Sequence, residues 1–326
     1  KKVGKNQADA VKEFGDGMTL ALLGDEAKIK AAAQELGVDL TPFELIHCTE
    51  DVDMHDDPVK AVRHKTDSSL VKGLTMLKNG EADAFVSAGS TGALLTGATL
   101  LVKRVKGIRR AAMGPAMPNK AGGKTVIVDC GANAECTPEF LLQFGLVGSV
   151  YAKKQLGVEN PKVGLLNIGT EDSKGTALQK EAYALLKNAG EKGLVNFVGN
   201  VEARDVPLGA VDVVVCDGFN GNVLLKTIEG TAMFMGSLMK KMFKKSLLSK
   251  LGYLLCASGV KDLMKMLDYR EIGGTPFLGI RKPVIKAHGS SNDEAIENAI
   301  GQAREVAASG LVDEIAAHVD EMTLNA

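Results

Sequence analysis

Short apolar runs that end in glycine, asparagine or aspartate alternate with longer amphipathic stretches along most of this 326-residue chain. Runs of about four to six residues separated by helical periods are typical of a mostly parallel sheet with helices on both faces. The runs that predict strands are Met18–Leu23, Ala82–Val86, Thr125–Val128, Val163–Leu166, Val195–Val198 (ending at Gly199) and Val211–Val215. The sequence therefore predicts an α/β fold and, because it contains no long linker, a single domain over residues 1–326.

Composition and charge exclude several classes of protein. A net charge of -1, an aromatic content of 4% and the absence of Trp argue against a nucleic-acid binder, which needs basic surface and stacking rings. The five cysteines contain no C-x-x-C pair, so we predict neither a zinc site nor a disulfide framework but buried free thiols. No signal peptide is recognised, and no apolar run approaches the ~20 residues of a membrane-spanning helix. We therefore expect a cytoplasmic protein, at most peripheral to the inner face of the membrane.

Four predicted strands end in short polar loops that contain glycine. These loops are Ser87–Gly92, Asp129–Asn133, Asn167–Glu171 and Asp217–Asn222. The carboxyl ends of parallel strands line the crevice of such folds, and glycine, hydroxyls and helix N-termini bind anions there. We therefore expect the loops to surround one phosphate-binding crevice, whereas turn chemistry alone explains any single loop. The P-loop, G-x-G-x-x-G and H-E-x-x-H motifs are all absent, so no cofactor and no metal is predicted.

The segment Lys286–Ser291 supplies a cation, an imidazole and hydroxyls at a predicted strand-to-helix junction. A histidine can transfer protons near neutral pH, and a lysine can hold a phosphate or an oxyanion. The alternative is a locally hydrogen-bonded His288 beside a Ser291 that only caps the helix. Because G-x-S-x-G is absent and no cysteine has a local histidine partner, direct displacement is favoured over a covalent intermediate.

The segment from Met233 to Leu267 is rich in Met, Leu and Lys, and it predicts a pair of amphipathic helices that leave the main body. Its lysines include Lys240, Lys241, Lys244 and Lys245. Three roles are open for this helical excursion. It can contact an acidic partner protein, touch an anionic membrane, or pack two copies of the chain together.

Six segments occur in an order that resembles one known family. They are Ser87–Ala93, Asp129–Asn133, Val163–Glu171, Gly199–Asp205, Asp217–Asn222 and Lys286–Ser291. Together they resemble the bacterial phosphate acyltransferase (PlsX) family, from about Leu23 onward. The resemblance implies a homodimer with a fold like that of isocitrate and isopropylmalate dehydrogenases and phosphotransacetylases. The family's first strand, with its Asp-Ala-Met-Gly-Gly-Asp turn, is not found before a predicted helix at Ala8–Phe14.

The resemblance also implies an activity in phospholipid synthesis. Inorganic phosphate attacks the thioester of an acyl group on acyl carrier protein, and the acyl-phosphate passes to a membrane acyltransferase. The candidate catalytic residues are His288, Lys286 and Asn222. The candidates for binding phosphate or the thioester are Ser87, Gly89, Thr91, Asn133, Asn167, Thr170, Glu171, Asp217, Asn220 and Ser290.

Two alternative functions stay open. The first is a phosphotransacetylase-like enzyme that uses acyl-coenzyme A, which the helical excursion disfavours. The second is a non-catalytic scaffold that binds acyl carriers at the membrane, which has no need for four polar strand ends. A dehydrogenase is disfavoured because the sequence shows neither a metal-binding carboxylate cluster nor a dinucleotide motif.

Overall fold

The computed structural model of the protein describes residues 17–266, 273–289 and 291–319. The strands there are β1 Leu20–Gly24, β2 Phe43–His47, β3 Phe85–Ser87, β4 Ala112–Met113, β5 Ala116–Pro118, β6 Lys124–Val128, β7 Lys162–Asn167, β8 Asn196–Glu202, β9 Val213–Val215, β10 Gly274–Leu278 and β11 Val284–Ala287. The helices are α1 Glu26–Leu36, α2 Pro58–His64, α3 Ser69–Asn79, α4 Thr91–Gly97, α5 Pro138–Leu156, α6 Ala177–Glu191, α7 Gly218–Lys244, α8 Leu247–Met266, α9 Asp293–Ala308 and α10 Leu311–Ala317. A π-helical turn, Ala98–Val102, follows α4 directly. The predicted helix Ala8–Phe14 and Leu267 lie outside the described residues.

The strands form three sheets. β1 pairs with β2, the second sheet has the order β3-β11-β10-β4, and the third has the order β5-β6-β9-β7-β8. Pairing is parallel in β1–β2, β3–β11, β6–β9, β9–β7 and β7–β8, and antiparallel in the pairs β10–β11, β10–β4 and β5–β6. The predicted mostly parallel α/β architecture is therefore confirmed.

The segment Ala112–Pro118, which contains β4 and β5, joins the two larger sheets. On one side, Gly114 N donates to the carbonyl oxygen of Pro276 in β10 at 3.2 Å. On the other side, Ile127 N of β6 donates to the carbonyl oxygen of Pro115 at 3.0 Å. Because this segment runs parallel to β11 but antiparallel to β6, strands β3 and β11 point opposite to β6, β9 and β7.

Helices cover both faces of the joined sheets. On one face, α5, α6, α9 and α10 contribute to a single large core cluster. On the other face, α3 and α4 pack on the four-stranded sheet around Leu74 and Leu94, and α7 packs on the five-stranded sheet through Leu224. Met113 packs against both of these last two clusters. Helices α4 and α7 therefore lie on the same face, one on each side of the junction between the sheets.

The prediction that a strand over Val195–Val198 ends at Gly199 is wrong. β8 continues to Glu202, and its pairing with β7 shifts register between Val163 and Gly164. Gly199 has a φ of 100°, a conformation that glycine adopts at little cost. The glycine therefore forms a bulge inside the strand, where the sequence pattern indicates a stop.

The Met- and Lys-rich excursion is a helical hairpin, but its first helix begins earlier than predicted. α7 runs without interruption from Gly218 to Lys244, since no proline breaks it. Its last buried residue is Leu224, and α8 packs back on its far end, where the ring centroids of Phe243 and Tyr253 are 5.2 Å apart. We call residues 233–266 the hairpin. Across the described ranges, no helix is long and apolar enough to cross a membrane.

Candidate active site

Ser87 ends β3 beside Lys286 of β11, which is its partner in the parallel pair. The Ser87 hydroxyl oxygen accepts a hydrogen bond from Gly89 N at 3.2 Å. The side chain of Ser90 caps α4, and Thr91 is the first residue of that helix. The structure therefore brings four of the predicted site residues together where β3 ends.

Lys286 is only 8% exposed. Successive side chains of β11 point to opposite faces of the sheet. Val284 packs in the core under α3 and α4, whereas Ile285 and Ala287 pack on the opposite face. Lys286 therefore lies on the face covered by α4. Its ammonium donates a hydrogen bond to the carbonyl oxygen of Ala287. A positive charge held in so little solvent attracts an anion more strongly than an exposed lysine does.

His288 follows this strand and is exposed. Its carbonyl oxygen accepts a hydrogen bond from Ser291 N at 3.0 Å, while Ser290 lies outside the described residues. Asn292, rather than Ser291, caps α9, accepting from Ala295 N at 3.1 Å. The Ser291 hydroxyl is consequently buried with no hydrogen-bond partner in the described part of the chain. The alternative of a Ser291 that only caps the helix is therefore wrong, while the predicted binding residues include Ser290 and not Ser291.

Asp129, just after β6, organises the second polar loop. Its carboxylate accepts hydrogen bonds from the backbone N–H groups of Met113 at 2.8 Å, Cys130 at 2.7 Å, Ala132 at 3.3 Å and Asn133 at 2.6 Å. The side-chain amide of Asn133 adds a fifth at 3.0 Å. Complete burial raises the pKa of the Asp129 carboxyl, and these donors oppose the rise. Asp129 is absent from the predicted site, although an acid directly after a buried β-branched run is a visible signal.

The start of α7 packs directly on this loop. Gly218 N donates to the carbonyl oxygen of Asn133 at 2.7 Å. The carboxylate of Asp217 caps α7 and also accepts from the side-chain amide of Asn220 at 2.6 Å. The Asn222 side chain faces Gly131, since a Cβ added to that glycine would meet it at 3.8 Å. The structure thus brings Asn133, Asp217, Asn220 and Asn222 together around Asp129, and we call these five residues the Asp129 group.

The loop after β7 is largely held by its own polar side chains. Asn167 accepts a hydrogen bond from Ile168 N at 2.8 Å and donates one to the carbonyl oxygen of Lys174 at 3.2 Å. The side chains of Thr170 and Glu171 are exposed. Asn200 of β8, which the prediction does not include, donates to the carbonyl oxygen of Glu171 at 2.7 Å. Asn167 therefore shapes this loop, and Thr170 and Glu171 are the members that face solvent.

The four polar loops do not all leave the joined sheets at the same end, where fully parallel strands would place them. Because β3 and β11 run opposite to β6, β9 and β7, the loops form two sets. We call Ser87, Gly89, Thr91, Lys286 and His288 the Lys286 group. β10 and the Ala112–Pro118 segment separate β11 from β6, so three strand spacings, about 14 Å, lie between this group and the Asp129 group. Both groups adjoin helices on the same face of the sheets, so one extended ligand can reach both.

All five cysteines are free thiols. Cys48, Cys130 and Cys216 are buried as predicted, whereas Cys136 is half-buried and Cys256 is exposed. Three of them, Cys130, Cys136 and Cys216, lie around the Asp129 loop, and the Sγ of Cys216 donates to the carbonyl oxygen of Asp129 at 3.4 Å. Within the ranges that the structure describes, no three His, Cys, Asp or Glu side chains are grouped so as to hold a metal ion.

With the geometry described, comparison with known proteins identifies the family. The model of a family described as fatty acid synthesis protein matches residues 4–314. A phosphate acyltransferase of Thermoanaerobacterium thermosaccharolyticum is 46% identical over 302 residues, which cover 92% of this chain and 88% of that protein. One of Alkaliphilus oremlandii is 49% identical over 295 residues, covering 90% of this chain and 86% of that protein. The chain belongs to the phosphate acyltransferase (PlsX) family.

Solved structures of other families share the fold of this PlsX family member. A phosphotransacetylase from Streptococcus pyogenes has a TM-score of 0.59 at 18% identity, covering 94% of this chain and 90% of that chain. The EutD phosphotransacetylase from Staphylococcus aureus has a TM-score of 0.57 at 20% identity, covering 92% and 90%. A putative 4-hydroxythreonine-4-phosphate dehydrogenase from Salmonella typhimurium has a TM-score of 0.51 at 13% identity, covering 92% and 94%. At such identities the similarity concerns the fold alone, and it agrees with the predicted relation to phosphotransacetylases and dehydrogenases.

Proposed function

We propose that this protein transfers a fatty acyl group from acyl carrier protein to inorganic phosphate. Membership of the phosphate acyltransferase family over most of the chain carries this proposal. The reaction needs a phosphate site beside a place for the thioester, and the two polar groups on one face of the sheets suit these two tasks.

In this proposal, the residues of the Lys286 group bind the phosphate. The hydroxyls of Ser87 and Thr91 donate to its oxygens, Gly89 allows close approach, and the Lys286 ammonium offsets its charge. A phosphate oxygen attacks the thioester carbonyl carbon, the C–S bond breaks, and the carrier leaves as a thiolate that takes up a proton. His288 holds the phosphate and transfers that proton. Ser290 stays a predicted binding residue beside them.

The thioester-bearing arm of the carrier extends along the Asp129 group in this proposal. Asn133 and Asn222 offer amide groups to the polar atoms of the arm, with Asn222 nearest to the reacting carbonyl. Asn167, Thr170 and Glu171 border the arm from the next strand end. Asp217 and Asn220 hydrogen-bond to each other. These bonds support a role for both residues in holding the first turn of α7 in place.

The test supplies acyl-acyl carrier protein with and without phosphate, and it measures the free carrier thiol and the acyl-phosphate trapped with hydroxylamine. We expect phosphate-dependent release, and we expect His288→Ala to lower kcat about 100-fold, as loss of a general acid does. His318→Ala, a replacement far along the chain, is the control. The absence of phosphate-dependent release would refute the enzyme, and an undiminished kcat in His288→Ala would remove this residue from the reaction.

A phosphotransacetylase-like use of acyl-coenzyme A is the second candidate, favoured by the shared fold. The same assay with acyl-coenzyme A as donor separates the two. A higher kcat/KM for acyl-coenzyme A would establish the second candidate. A non-catalytic scaffold would bind the carrier and release thiol from neither donor.

We further propose a cytoplasmic homodimer that meets the inner membrane face through the hairpin and hands its product to a membrane acyltransferase. Exposed leucines on the hairpin include Leu247 at 83%, Leu248 at 81% and Leu255 at 84% exposure. Lys240, Lys241, Lys244 and Lys245 are exposed close to them. Apolar side chains flanked by lysines favour an anionic lipid surface over an acidic protein, whose docking needs charge more than leucine.

A further inference from the structure

Seven cationic side chains form a ridge beside the Asp129 group. They are Lys103, Arg104, Lys106, Arg109, Arg110, Arg281 and Lys282. The first five lie between the π-helical turn and β4, and the last two lie between β10 and β11. A bridge between Arg104 and Ile280 and a 3.0 Å hydrogen bond from Arg281 N to the carbonyl oxygen of Lys103 hold the two segments together. We call these seven side chains the basic ridge.

The charge of the basic ridge is not neutralised locally. None of its members forms an ion pair with another residue that the structure describes. Arg109 contributes only a small effect to the lowered pKa of Glu139, which a hydrogen bond from Thr137 chiefly causes. With a net charge of -1 for the whole chain, the ridge is a local excess of positive charge. Such an excess attracts an anionic partner.

Hydrogen bonds to the backbone hold the ridge in one shape. Arg104 donates to the carbonyl oxygen of Arg109, and Arg281 Nε donates to the carbonyl oxygen of Arg104 at 3.0 Å. The buried side chain of Gln143 accepts from Arg109 N at 2.9 Å and donates to the carbonyl oxygen of Gly107 at 3.0 Å. A guanidinium has more N–H groups than these bonds use, and its planar fork matches a carboxylate. A preformed surface loses little conformational freedom when it binds a partner.

The backbone conformation of Lys103 is a second indication that the basic ridge has a function. Its φ of 75° and ψ of 162° form a conformation that favours glycine and strains other residues. The chain therefore carries a charge at a position where glycine would give a more stable backbone.

The basic ridge is continuous with the candidate site. The side-chain amide of Asn133 donates to the carbonyl oxygen of Ala111 at 2.9 Å, directly after Arg110. The guanidinium of Arg110 lies 5.6 Å from the ring centroid of Phe140, at the start of the helix that follows the Asp129 loop. A partner seated on the ridge therefore lies next to the Asp129 group.

We propose that the basic ridge docks the acidic protein that carries the acyl thioester. This inference rests on the proposed function and adds the surface that recognises the carrier. Carboxylates of the carrier pair with the guanidinium and ammonium groups, and the thioester arm enters along the Asp129 group. A membrane is a poorer fit, because it needs apolar anchors and residues 103–110 have no exposed large apolar side chain.

The test combines kinetics with direct binding on the full chain. One variant carries Lys106→Glu with Arg109→Glu, two exposed side chains for which the structure shows no hydrogen bond. The matched control, Lys240→Glu with Lys241→Glu on the hairpin, changes the net charge equally. Octanoyl-acyl carrier protein and octanoyl-pantetheine serve as donors, the second having the thioester without the protein. Calorimetry measures binding of the carrier without turnover.

We expect the ridge variant to raise KM for the carrier-borne donor about tenfold at unchanged kcat, as removal of docking charges does. KM for octanoyl-pantetheine and for phosphate should not change, and the hairpin control should behave as wild type. Lys103→Gly should also raise KM for the carrier without lowering the thermal midpoint, which a purely structural role would not produce.

Three results would overturn the inference. The first is an unchanged KM for the carrier in the ridge variant, and the second is a ridge variant in which KM rises for phosphate but not for the carrier. The third is a KM for the carrier that rises only in the hairpin control. Wild-type protein that consumes neither donor would refute the proposed function. Calorimetry would then still test whether the basic ridge docks the carrier. Equal binding of the carrier by wild type and ridge variant would contradict this docking, and weaker binding by the variant would support it.

Discussion

At the scale of single residues, burial makes the thiols near the Asp129 group poor nucleophiles. Burial raises the pKa of Cys130 to about 12, and the negative charge of Asp129 adds to the effect. Burial likewise raises the pKa of Cys136 to about 12, and Cys216 is fully buried with its pKa raised as well. The thiolate is the reactive form of cysteine, so an acyl group is not expected to pass through these side chains. This agrees with direct attack by phosphate.

Alkylation tests this assignment. A pKa of about 12 instead of 9.0 lowers the thiolate fraction at pH 8 about 1,000-fold, so Cys130 should react with iodoacetamide far more slowly than an ordinary thiol. Its rate should rise about tenfold for each pH unit above 8 for as long as the protein stays folded. Exposed Cys256 should be modified first. Timed labelling with peptide mass spectrometry measures each site, and urea-unfolded protein is the control. Equal rates for Cys130 and Cys256 in folded protein would contradict the burial.

At the scale of elements, the α7 start depends on an unusually close contact with the Asp129 loop. A Cβ on Gly221 would lie 1.9 Å from the carbonyl oxygen of Asp129 and 2.8 Å from the Sγ of Cys216. Glycine is therefore required there by space. Gly230 lies in the same helix with no other atom within 4 Å of a Cβ. Replacing these two glycines therefore measures two effects on stability within one helix: tight packing at Gly221 and helix propensity at Gly230.

Replacing each glycine with alanine should change stability in opposite directions. Gly221→Ala forces α7 away from the loop and should lower the free energy of unfolding by about 3 kcal/mol. It should also lower activity, since Asn222 moves with the helix. Gly230→Ala should raise the free energy of unfolding by about 1 kcal/mol, because alanine is the better helix former. Urea unfolding curves measure both, and a Gly221→Ala variant as stable as wild type would show that the contact is absent.

At the scale of the whole molecule, the hairpin extends beyond the core clusters of the described residues. Exposed large apolar side chains recur along it, including Met233, Phe234, Leu251, Leu254 and Leu255. A contiguous apolar surface of this kind marks an interaction site on a protein. The basic ridge is instead charged and lies beside the Asp129 group. The molecule therefore presents two surfaces of different chemistry, which suit two different partners.

Leu254→Glu with Leu255→Glu should abolish binding to vesicles that contain anionic lipid. Both leucines are largely exposed, at 70% and 84%, so the free energy of unfolding should change by less than about 0.5 kcal/mol per site. Vesicle flotation measures binding, and Leu208→Glu, an exposed leucine outside the hairpin, is the control. Light scattering of the same samples reports the oligomeric state. Conversion from dimer to monomer with vesicle binding intact would assign the hairpin to the contact between two copies.

The sequence by itself determined the fold class and the residues at the strand ends. Apolar runs that end in polar loops mark the strands and their ends, and the family motifs preserve their order. Each half of the Lys286 group, Ser87–Thr91 and Lys286–His288, is therefore recognised separately along the chain. The same reading indicates the hairpin, because its Met, Leu and Lys content breaks the alternating pattern. These properties depend on neighbours in sequence, which periodicity and turn chemistry describe well.

Only the tertiary structure decided which of these residues meet. The direction of the Ala112–Pro118 segment divides the polar loops into two groups, and this is a matter of long-range strand pairing that no local pattern encodes. Asp129 becomes the organising residue because the N–H of Met113 reaches it from another strand. The basic ridge likewise exists only because Lys103–Arg110 and Arg281–Lys282, far apart in sequence, are bridged side by side. Local chemistry selected the candidates, and long-range pairing assembled the site.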